Sequence, residues 1–534
     1  MDRKRVGIVG AGAGGLAAIK ACLEEGFTPV AFERTDQLGG IWVYRDISQT
    51  EYPEAAAVYN CLKTNGSKAF FGFTDFPCPK EWTPFVSRQN CLEYFQDYAT
   101  KFDLSQYIRF NTEVSTVYPT DDYETTGRWR IRIRSDGGYC EELFDAVMIC
   151  TGVHSRANLP RYPGQDIFKG EISTGSTYRE NTKYSDQKVL VVGGGISAGD
   201  IATDISNASK QTYISSRNGL SITPVIGPNG WPFDSFIGMR LIQLLPAWIE
   251  TYLIRRESYK KFRCEHLGLN IPSENGVRST GAILNDNFIN QVLSGNILPK
   301  PSIRNFTDTG VVFQDGSTVE DLDAVMFCTG YHSQIPFAAE IFISGTSDAD
   351  RYSLVFPVQL KHSTLAYIGF FRTATIGSPI TVMEMQTRWV AQVWSGNCML
   401  PSIPEMLTDV EERQRAERSR YGRVICQVDA VRYMDNIATK IGCYPSLASL
   451  FVSDPRLAAR VIFSPVVPAT YRLVGPHRLE DARDVILTSW STIFGGMPLE
   501  NQQVKCTMWD LGMTKLCVFI ITLMITLTLS ITLW

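Results

Sequence analysis

Two glycine-rich segments have residue spacings suited to holding the pyrophosphate of a dinucleotide. Loop one is "GAGAGG" at 10–15 and loop two is "GGGISA" at 193–198, so both fit G-x-G-x-x-G/A. The first glycine of this pattern permits a tight turn, and the second lets the backbone approach the pyrophosphate. The third small residue lets helix and strand pack closely. The phosphates then lie at a helix N-terminus, where free N–H groups favour an anion.

Each loop is followed by a helix and a second predicted strand, and the residue at the end of that strand predicts which type of ribose is bound. The strand "TPVAFE" ends in Glu33, whose carboxylate would accept hydrogen bonds from both ribose hydroxyls and repel a 2′-phosphate. Loop one should therefore bind FAD or NAD rather than NADP. The strand "QTYISSR" ends in Arg217, whose guanidinium would pair with a 2′-phosphate. Loop two should bind NADPH, so that one loop holds a flavin nucleotide and the other holds its reductant.

These loops need strands and helices of the α/β class, and we predict two Rossmann-like dinucleotide-binding domains. The segments "FDAVMICTG" (144–152) and "LDAVMFCTGY" (322–331) share one form, a β-rich strand ending in Thr-Gly, and each could close one of the sheets. The predicted organisation is a first part of the FAD domain (1–155), an NADPH domain (156–330) with an insertion (218–296), a second part of the FAD domain (331–445), a C-terminal extension (446–512) and a membrane tail (513–534).

Composition agrees with a folded multidomain protein. The chain has 534 residues, 44% of them hydrophobic and 20% charged. Its net charge of -4 gives no reason to propose nucleic acid as a partner. The 13 cysteines form no C-x-x-C pair, and no Cys/His cluster has metal-ligand spacing. We therefore expect reduced thiols in a cytosolic environment and no metal site.

The tail Leu516–Trp534 has 19 residues without a charge. At 1.5 Å per residue a helix of this length spans roughly 28 Å, about one hydrocarbon core. The alternative is a buried core helix, but the position after Lys515 at the end of the sequence favours a tail anchor. At the other end, "MDRKR" before an apolar run resembles a signal peptide. The glycines of loop one argue against that interpretation because they would make a poor hydrophobic helix.

Several motifs in order resemble those of the flavin-containing monooxygenases of the animal, microsomal type, over essentially the whole chain. They are "GAGAGG" (10–15), "LGGIW" (38–42), "TNGSK" (64–68), "FKGEISTGSTY" (168–178), "GGGISAGDIA" (193–202), "FCTGY" (327–331) and "QTRW" (386–389). Such enzymes reduce FAD with NADPH and then form a C4a-hydroperoxyflavin from O2. That species oxygenates soft nucleophiles, which are small molecules containing nitrogen or sulfur.

The resemblance also implies a location in the endoplasmic reticulum membrane, with a C-terminal helix in the bilayer and the catalytic part facing the cytosol. It leaves a homo-oligomer open. Three alternatives remain at this point. The same fold could act mainly as an uncoupled NADPH oxidase that releases H2O2, or as a Baeyer–Villiger monooxygenase on carbonyl compounds. A rival of another class is a membrane flavoprotein scaffold without turnover.

By resemblance, Asn65 is the candidate catalytic residue, with its amide at the flavin and the nicotinamide. The alternative is an ordinary loop asparagine before Gly66, and Gln386 faces a similar alternative as part of a packing helix. The candidate cofactor-binding residues are Gly10, Ala11, Gly12, Ala13, Gly14, Gly15, Glu33, Gly40, Ile41, Trp42, Thr64, Asn65, Gly66, Gly193, Gly195, Ser197, Ala198, Gly199, Asp200, Arg217 and Gln386.

The sequence departs from the family pattern at three places. Thr174 stands where the linker motif has histidine, Ile196 stands where loop two often has asparagine, and Ala69-Phe70 replaces the usual Glu-Met. The first two changes lie around the NADPH half. They lead to the hypothesis of a partly uncoupled enzyme, in which weaker retention of NADP⁺ releases H2O2.

The insertion contains an aromatic and apolar stretch at 231–256, "WPFDSFIGMRLIQLLPAWIETYLIRR", which ends in basic residues. Two structures fit this pattern. It could be a core helix under the active site, or a surface helix that lies in the plane of the bilayer.

Overall fold

A computed structural model gives the architecture of most of the chain. It describes residues 3–50, 52–135, 137–217, 219–262, 282–333, 335, 337, 350–373 and 377–497. The predicted tail anchor, 516–534, lies outside these residues. Within the described part, no helix combines the length and the apolar character needed to cross a membrane.

The first sheet carries loop one and has five parallel strands. In spatial order they are Leu365–Tyr367, Ala146–Ile149, Arg5–Val9, Thr28–Phe32 and Ile108–Arg109. The helix Ala13–Glu24 begins within loop one and connects the strand Arg5–Val9 to the strand Thr28–Phe32. The strand of "FDAVMICTG" lies inside the sheet rather than at its edge, directly beside the strand that leads into loop one.

The second sheet repeats this arrangement around loop two. Its parallel strands are, in spatial order, Glu171–Thr174, Ala324–Phe327, Lys188–Val192, Gln211–Ser215 and Ile297–Lys300. The helix Ile196–Ile205 follows loop two. The prediction of an α/β chain with two Rossmann-like sheets is confirmed.

Both sheets are buried on both faces, which explains their nearly continuous apolar strands. Successive side chains of a strand point to opposite faces. Ile8 packs with Leu16 of the following helix on one face of the first sheet. Val9 packs with Trp129 on the other face, where an antiparallel sheet covers the strands.

Smaller strands and further helices complete the fold. Antiparallel sheets form from Glu113–Pro119, Trp129–Ser135 and Gly138–Phe144, from Ile303–Phe306, Val311–Phe313 and Thr318–Val319, and from the short pairs Gly72–Phe73 with Phe76–Pro77 and Arg351–Tyr352 with Phe356–Pro357. Arg372–Thr373 and Gln427–Val428 pair in parallel. The remaining helices outside the insertion are Arg88–Lys101, Tyr123–Thr126, Pro379–Trp394, Ile403–Tyr421, Ala430–Lys440, Leu447–Ser453, Pro455–Phe463 and Ala482–Thr492.

The chain passes between the two sheets twice, at neighbouring places. Arg156–Ala157 on the outward passage pairs antiparallel with Tyr331–His332 on the return. This pairing brings the two connections together, as expected if 156–330 forms a unit inserted into the fold of the first sheet. The domain boundaries themselves stay a prediction.

The stretch 231–256 is not one helix, and neither prediction for it holds along its whole length. It forms Asp234–Ile237, Arg240–Gln243 and the start of Ala247–Lys261. The breaks fall at Met239 and Pro246, whose extended backbone angles end one helix before the next begins. The first two helices belong to a buried core, while the third leaves the aromatic side chains of Trp248, Tyr252 and Tyr259 exposed.

Candidate dinucleotide-binding site

Loop one has the turn that a pyrophosphate cradle requires. Gly10 has a φ of +101° and its N–H donates to Phe32 O at 2.8 Å. A Cβ at Gly10 would lie 2.8 Å from Cys150 O, and one at Gly15 would lie 2.0 Å from Gly10 O. Only glycine fits at these two positions, because the helix and the adjacent strand pack too closely for a side chain.

The middle glycine of loop one faces a second glycine segment. The nearest atom to a Cβ at Gly12 would be Gly40 Cα, at 3.5 Å, and Gly39 N donates to Ala11 O at 3.0 Å. Gly12 is the N-cap of the helix, and no side chain caps that end. The free N–H groups of the first turn therefore meet a surface without side chains, which fits a pyrophosphate.

The other candidates of this region lie beside the same turn. Ile41 is 48% exposed, and Trp42 packs against the core of the first sheet. Ala11 is buried, while Ala13 and Gly14 open the helix. The geometry thus collects residues 10–15 and 40–42 at one end of the first sheet.

Glu33 reaches directly into loop one. Its Oε2 accepts from the backbone N–H of Ala11 at 2.9 Å, and its Oε1 accepts from the N–H and hydroxyl of Thr35 at 3.0 Å and 2.9 Å. The side chain is buried. A carboxylate has about four lone-pair sites, so these three bonds leave room for a ribose hydroxyl.

Loop two has the same turn as loop one, but the space around its middle glycine is more open. Gly193 has a φ of +149°, and a Cβ there would lie 2.4 Å from Cys328 O. A Cβ at Gly195 would meet nothing within 4 Å. Gly195 is the N-cap of its helix, again without a side-chain cap, and the first-turn residues Ile196 and Ser197 are exposed. The open side is therefore where a ligand would approach.

The buried side of loop two needs small residues. Ala198 is buried, and a Cβ at Gly199 would lie 2.4 Å from Ile283 of the insertion. These two candidates hold the helix against its neighbours and do not face the open side.

Arg217 is an exposed cation at the end of the second strand of this sheet. It has no hydrogen bond or ion pair with the residues that the structure describes. Burial raises the pKa of the neighbouring Tyr162, and the positive charge of Arg217 counteracts this. The guanidinium is thus available to an anionic ligand beside loop two.

The segment 64–68, which we call the Asn65 loop, is anchored at both ends. Thr64 N donates to Val86 O at 2.8 Å, and Lys68 N donates to Pro84 O at 2.8 Å. The hydroxyl of Thr64 also donates to Gly66 O at 2.8 Å. Asn65 is half-buried, and its side chain makes no hydrogen bond to the described residues.

A residue that sequence reasoning missed contacts this loop from the insertion. Oδ2 of Asp234 accepts from Ser67 N at 2.5 Å. Burial raises the pKa of the Asp234 carboxyl to about 6, although hydrogen bonds from Ser67 and Ser235 oppose the shift. The two partners are separated by 167 positions, so no local motif could have paired them.

Two predicted cofactor residues already have protein partners. Asp200 accepts from Tyr59 OH at 3.1 Å and from Asn285 Nδ2 at 2.9 Å. Gln386 is fully buried, where its Oε1 accepts from Gly369 N at 2.9 Å and its Nε2 donates to Tyr433 OH at 2.8 Å. These contacts give both residues a structural role, and their contact with a cofactor stays a prediction.

Thr174, in the place of the histidine of the linker motif, joins a short hydrogen-bond chain. Its hydroxyl lies 2.8 Å from that of Ser176, which donates to Pro53 O at 2.8 Å. These hydrogen bonds link the end of a strand of the second sheet to Pro53, which precedes the Asn65 loop in the sequence. The smaller residue therefore keeps a polar connection between the two nucleotide regions.

Comparison with known proteins assigns the family. Residues 3–532 match the profile described as "Flavin-binding monooxygenase-like". Human flavin-containing monooxygenase 3 is 38% identical over 495 residues, which cover 91% of this chain and 92% of that protein. The chain belongs to the flavin-containing monooxygenases.

Two further similarities extend this result. The rat protein "Dimethylaniline monooxygenase [N-oxide-forming] 2" is 35% identical to this flavin-containing monooxygenase over 512 residues, 94% of either chain. The structure of S-allyl-L-cysteine S-oxygenase from Allium sativum superposes with a TM-score of 0.62 at 25% identity, covering 91% of this chain and 99% of that one. This flavin-containing monooxygenase is therefore an enzyme with the α/β flavin monooxygenase fold, and its cofactors are FAD and NADPH.

Proposed function

We propose that loop one binds FAD, that loop two binds NADPH, and that the enzyme uses O2 to oxygenate soft nitrogen or sulfur nucleophiles. One observation carries the assignment of the loops. Two similar cradles are followed by residues of opposite charge, buried Glu33 at loop one and exposed Arg217 at loop two. A carboxylate suits a ribose with free hydroxyls and a guanidinium suits a 2′-phosphate.

The chain's own residues bind and orient the cofactors in this proposal. When bound, FAD accepts a hydride from NADPH and then activates O2. Gly12 and Gly40 would border the FAD pyrophosphate, and the open face at Gly195 would take the pyrophosphate of NADPH. Asn65, whose amide has no partner among the described residues, would donate to the flavin edge. The part of the chain that the structure describes contains no cluster of residues able to hold a metal.

Two relatives support the substrate class. The rat relative is named as forming N-oxides, and the Allium sativum protein is named as an S-oxygenase. Tertiary amines and thioethers are both soft nucleophiles. We therefore propose them as the substrate class.

We also propose an endoplasmic reticulum membrane location with the catalytic part in the cytosol. The support is the uncharged segment 516–534, long enough for one bilayer crossing. A chain of this family with reduced thiols is consistent with a cytosolic catalytic part.

The decisive experiment identifies which products form for each NADPH consumed. The purified full chain in detergent is supplied with NADPH, O2 and N,N-dimethylaniline, methyl phenyl sulfide or cyclohexanone. We expect a yellow protein bleached by NADPH, with N-oxide and sulfoxide as the main products. H2O2 as the main product with every substrate would instead indicate an oxidase, and a lactone from the ketone would indicate Baeyer–Villiger chemistry. A flavin that NADPH does not bleach would indicate a scaffold.

A further inference from the structure

The tip of the Asn65 loop is held from outside its own domain. Both ends of the loop are bonded to the neighbouring segment 84–86. The tip residue Ser67 instead donates its N–H to Asp234 of the insertion. The same carboxylate lies against Gly66, since a Cβ there would come within 3.4 Å of Asp234 Oδ2.

The packing around this contact is tight. A Cβ at Gly238, one turn after Asp234, would lie 2.1 Å from the ring of Phe70. Oδ1 of Asp234 is enclosed by protein and accepts no hydrogen bond of good geometry from the described residues. The contact between Asp234 and Ser67 therefore lies in a closely packed region between the insertion and the Asn65 loop.

The contact lies next to the candidate catalytic residue. Asn65 makes no side-chain hydrogen bond to the described residues, so its direction depends on the backbone that carries it. That backbone continues through Gly66, which has no side chain to limit its conformation, to the amide held by Asp234. We propose that Asp234 is a positioning residue, which orients Asn65 toward the flavin through the Ser67 amide. This inference rests on the proposed role of Asn65.

The test compares Asp234→Ala with a matched carboxylate of the insertion. Asp286 also accepts backbone N–H bonds, from Val225 at 3.3 Å and Ile226 at 3.0 Å, but these lie within the insertion. We expect Asp234→Ala to lower kcat for product formation about tenfold and to leave KM for NADPH within about twofold. Asp234→Asn keeps an acceptor oxygen and should restore most of the activity. Asp286→Ala should leave kcat within about twofold.

A double-mutant cycle separates positioning from general loss of structure. If Asp234 acts through Asn65, the pair Asp234→Ala with Asn65→Ala should have the same kcat as Asn65→Ala alone. Additive losses in the cycle would overturn the inference. So would equal losses of kcat in Asp234→Ala and Asp286→Ala.

Hydrogen exchange gives a readout that does not require activity. The Ser67 amide should exchange about tenfold faster in Asp234→Ala than in the wild type, with and without FAD, and should be unchanged in Asp286→Ala. Unchanged exchange in Asp234→Ala would overturn the inference even in an active enzyme. If the wild type failed to oxidise NADPH, the proposed function would fall, while the exchange result would still decide whether Asp234 holds the loop.

Discussion

At the scale of single residues, we expect Arg217 to determine which nicotinamide cofactor the enzyme prefers. Its guanidinium is exposed at the end of its strand and has no ion pair within the described part. We expect Arg217→Ala to raise KM for NADPH roughly 30-fold, the equivalent of ~2 kcal/mol, because a charge-assisted contact to the 2′-phosphate is lost. KM for NADH should change little. Steady-state kinetics with both cofactors measure the ratio.

An exposed arginine of a different sheet, in the strand Ile303–Phe306, provides the control. Arg304→Ala removes the same charge at another place on the surface and should change both KM values equally, if at all. An unchanged NADPH/NADH ratio in Arg217→Ala would remove this residue from the cofactor site.

We expect the buried carboxyl of Asp200 to make the stability of the enzyme depend on pH. Burial raises the pKa of its carboxyl from 3.8 to about 6, and the nearby Asp204 adds to the shift, while bonds from Asn285 and Tyr59 oppose it. The folded protein thus binds this proton more tightly than the unfolded chain. The contribution of Asp200 to stability therefore falls as pH rises from about 4 to 6, and the penalty, roughly 3 kcal/mol at most, persists above pH 6.

The isosteric Asp200→Asn variant removes this titration. We expect its melting temperature to match that of the wild type at pH 4 and to exceed it at pH 7.5. Asp166→Asn, an exposed control, should show no such change with pH. A loss of stability in Asp200→Asn of equal size at both pH values would mean that the carboxylate is needed for its hydrogen bonds.

At the scale of elements, the glycines of each loop have separable roles. Gly195 borders open space, whereas a Cβ at Gly15 would overlap Gly10 O. We expect Gly195→Val to raise KM for NADPH at least tenfold with an unchanged melting temperature, because the side chain occupies only the ligand's place. Gly15→Ala should instead lower the melting temperature and the FAD content together. Normal NADPH binding by Gly195→Val would contradict the assignment of loop two.

The loops could be predicted from sequence because each one is local. A strand, a turn and a helix lie within about 20 residues, and the turn restricts Gly10 and Gly193 to glycine. The contact of Asp234 with the Asn65 loop could not be predicted, since it depends on how the insertion packs. The partners of Gln386, Gly369 and Tyr433, could not be predicted for the same reason, because they come from other segments of the chain. The motif around Gln386 also does not predict that its side chain is buried.

The C-terminal extension is joined to the first sheet's core by a buried ion network. Arg472, 1% exposed, lies 3.1 Å from Glu24, 2.9 Å from Asp75 and 3.0 Å from Glu384. Arg472→Met would remove the cation shared by all three carboxylates and leave Lys20, which pairs with Glu24 and Asp75, as the remaining ion-pair partner among the described residues. We expect a loss of about 3–5 kcal/mol in the free energy of unfolding, measured by urea denaturation.

The exposed Arg478→Met provides the control and should change stability by less than about 0.5 kcal/mol. Equal effects of Arg472→Met and Arg478→Met would mean that the extension contributes little to the core.

At the scale of the whole molecule, several bonds join the two nucleotide regions. Tyr59 OH donates to Asp200 of the loop-two helix, and Ser176 of the linker donates to Pro53 O. The two sheets are thereby held beside each other along segment 53–59, which precedes the Asn65 loop. Thr174 belongs to the same junction, because its hydroxyl lies 2.8 Å from that of Ser176.

The surface of the insertion predicts a membrane contact in addition to the proposed tail anchor. The helix Ala247–Lys261 leaves Trp248 70% exposed and Tyr252 59% exposed. The insertion also packs against the helix that leads toward the tail, where the rings of Trp231 and Trp490 lie 5.2 Å apart. Aromatic side chains on such a surface favour the interface of a bilayer.

The last prediction tests this surface in a chain without its tail. Deleting 516–534 should leave flavin content and turnover intact, and the truncated protein should still sediment with phosphatidylcholine vesicles. Adding Trp248→Ser and Tyr252→Ser should reduce vesicle binding at least tenfold, because both rings would otherwise leave water for the interface. Tyr139→Ser, which removes an exposed ring from the strand Gly138–Phe144, should have no effect. If the truncated chain never sediments with vesicles, or if all three substitutions act alike, the tail is the protein's membrane contact and the exposed rings are ordinary surface.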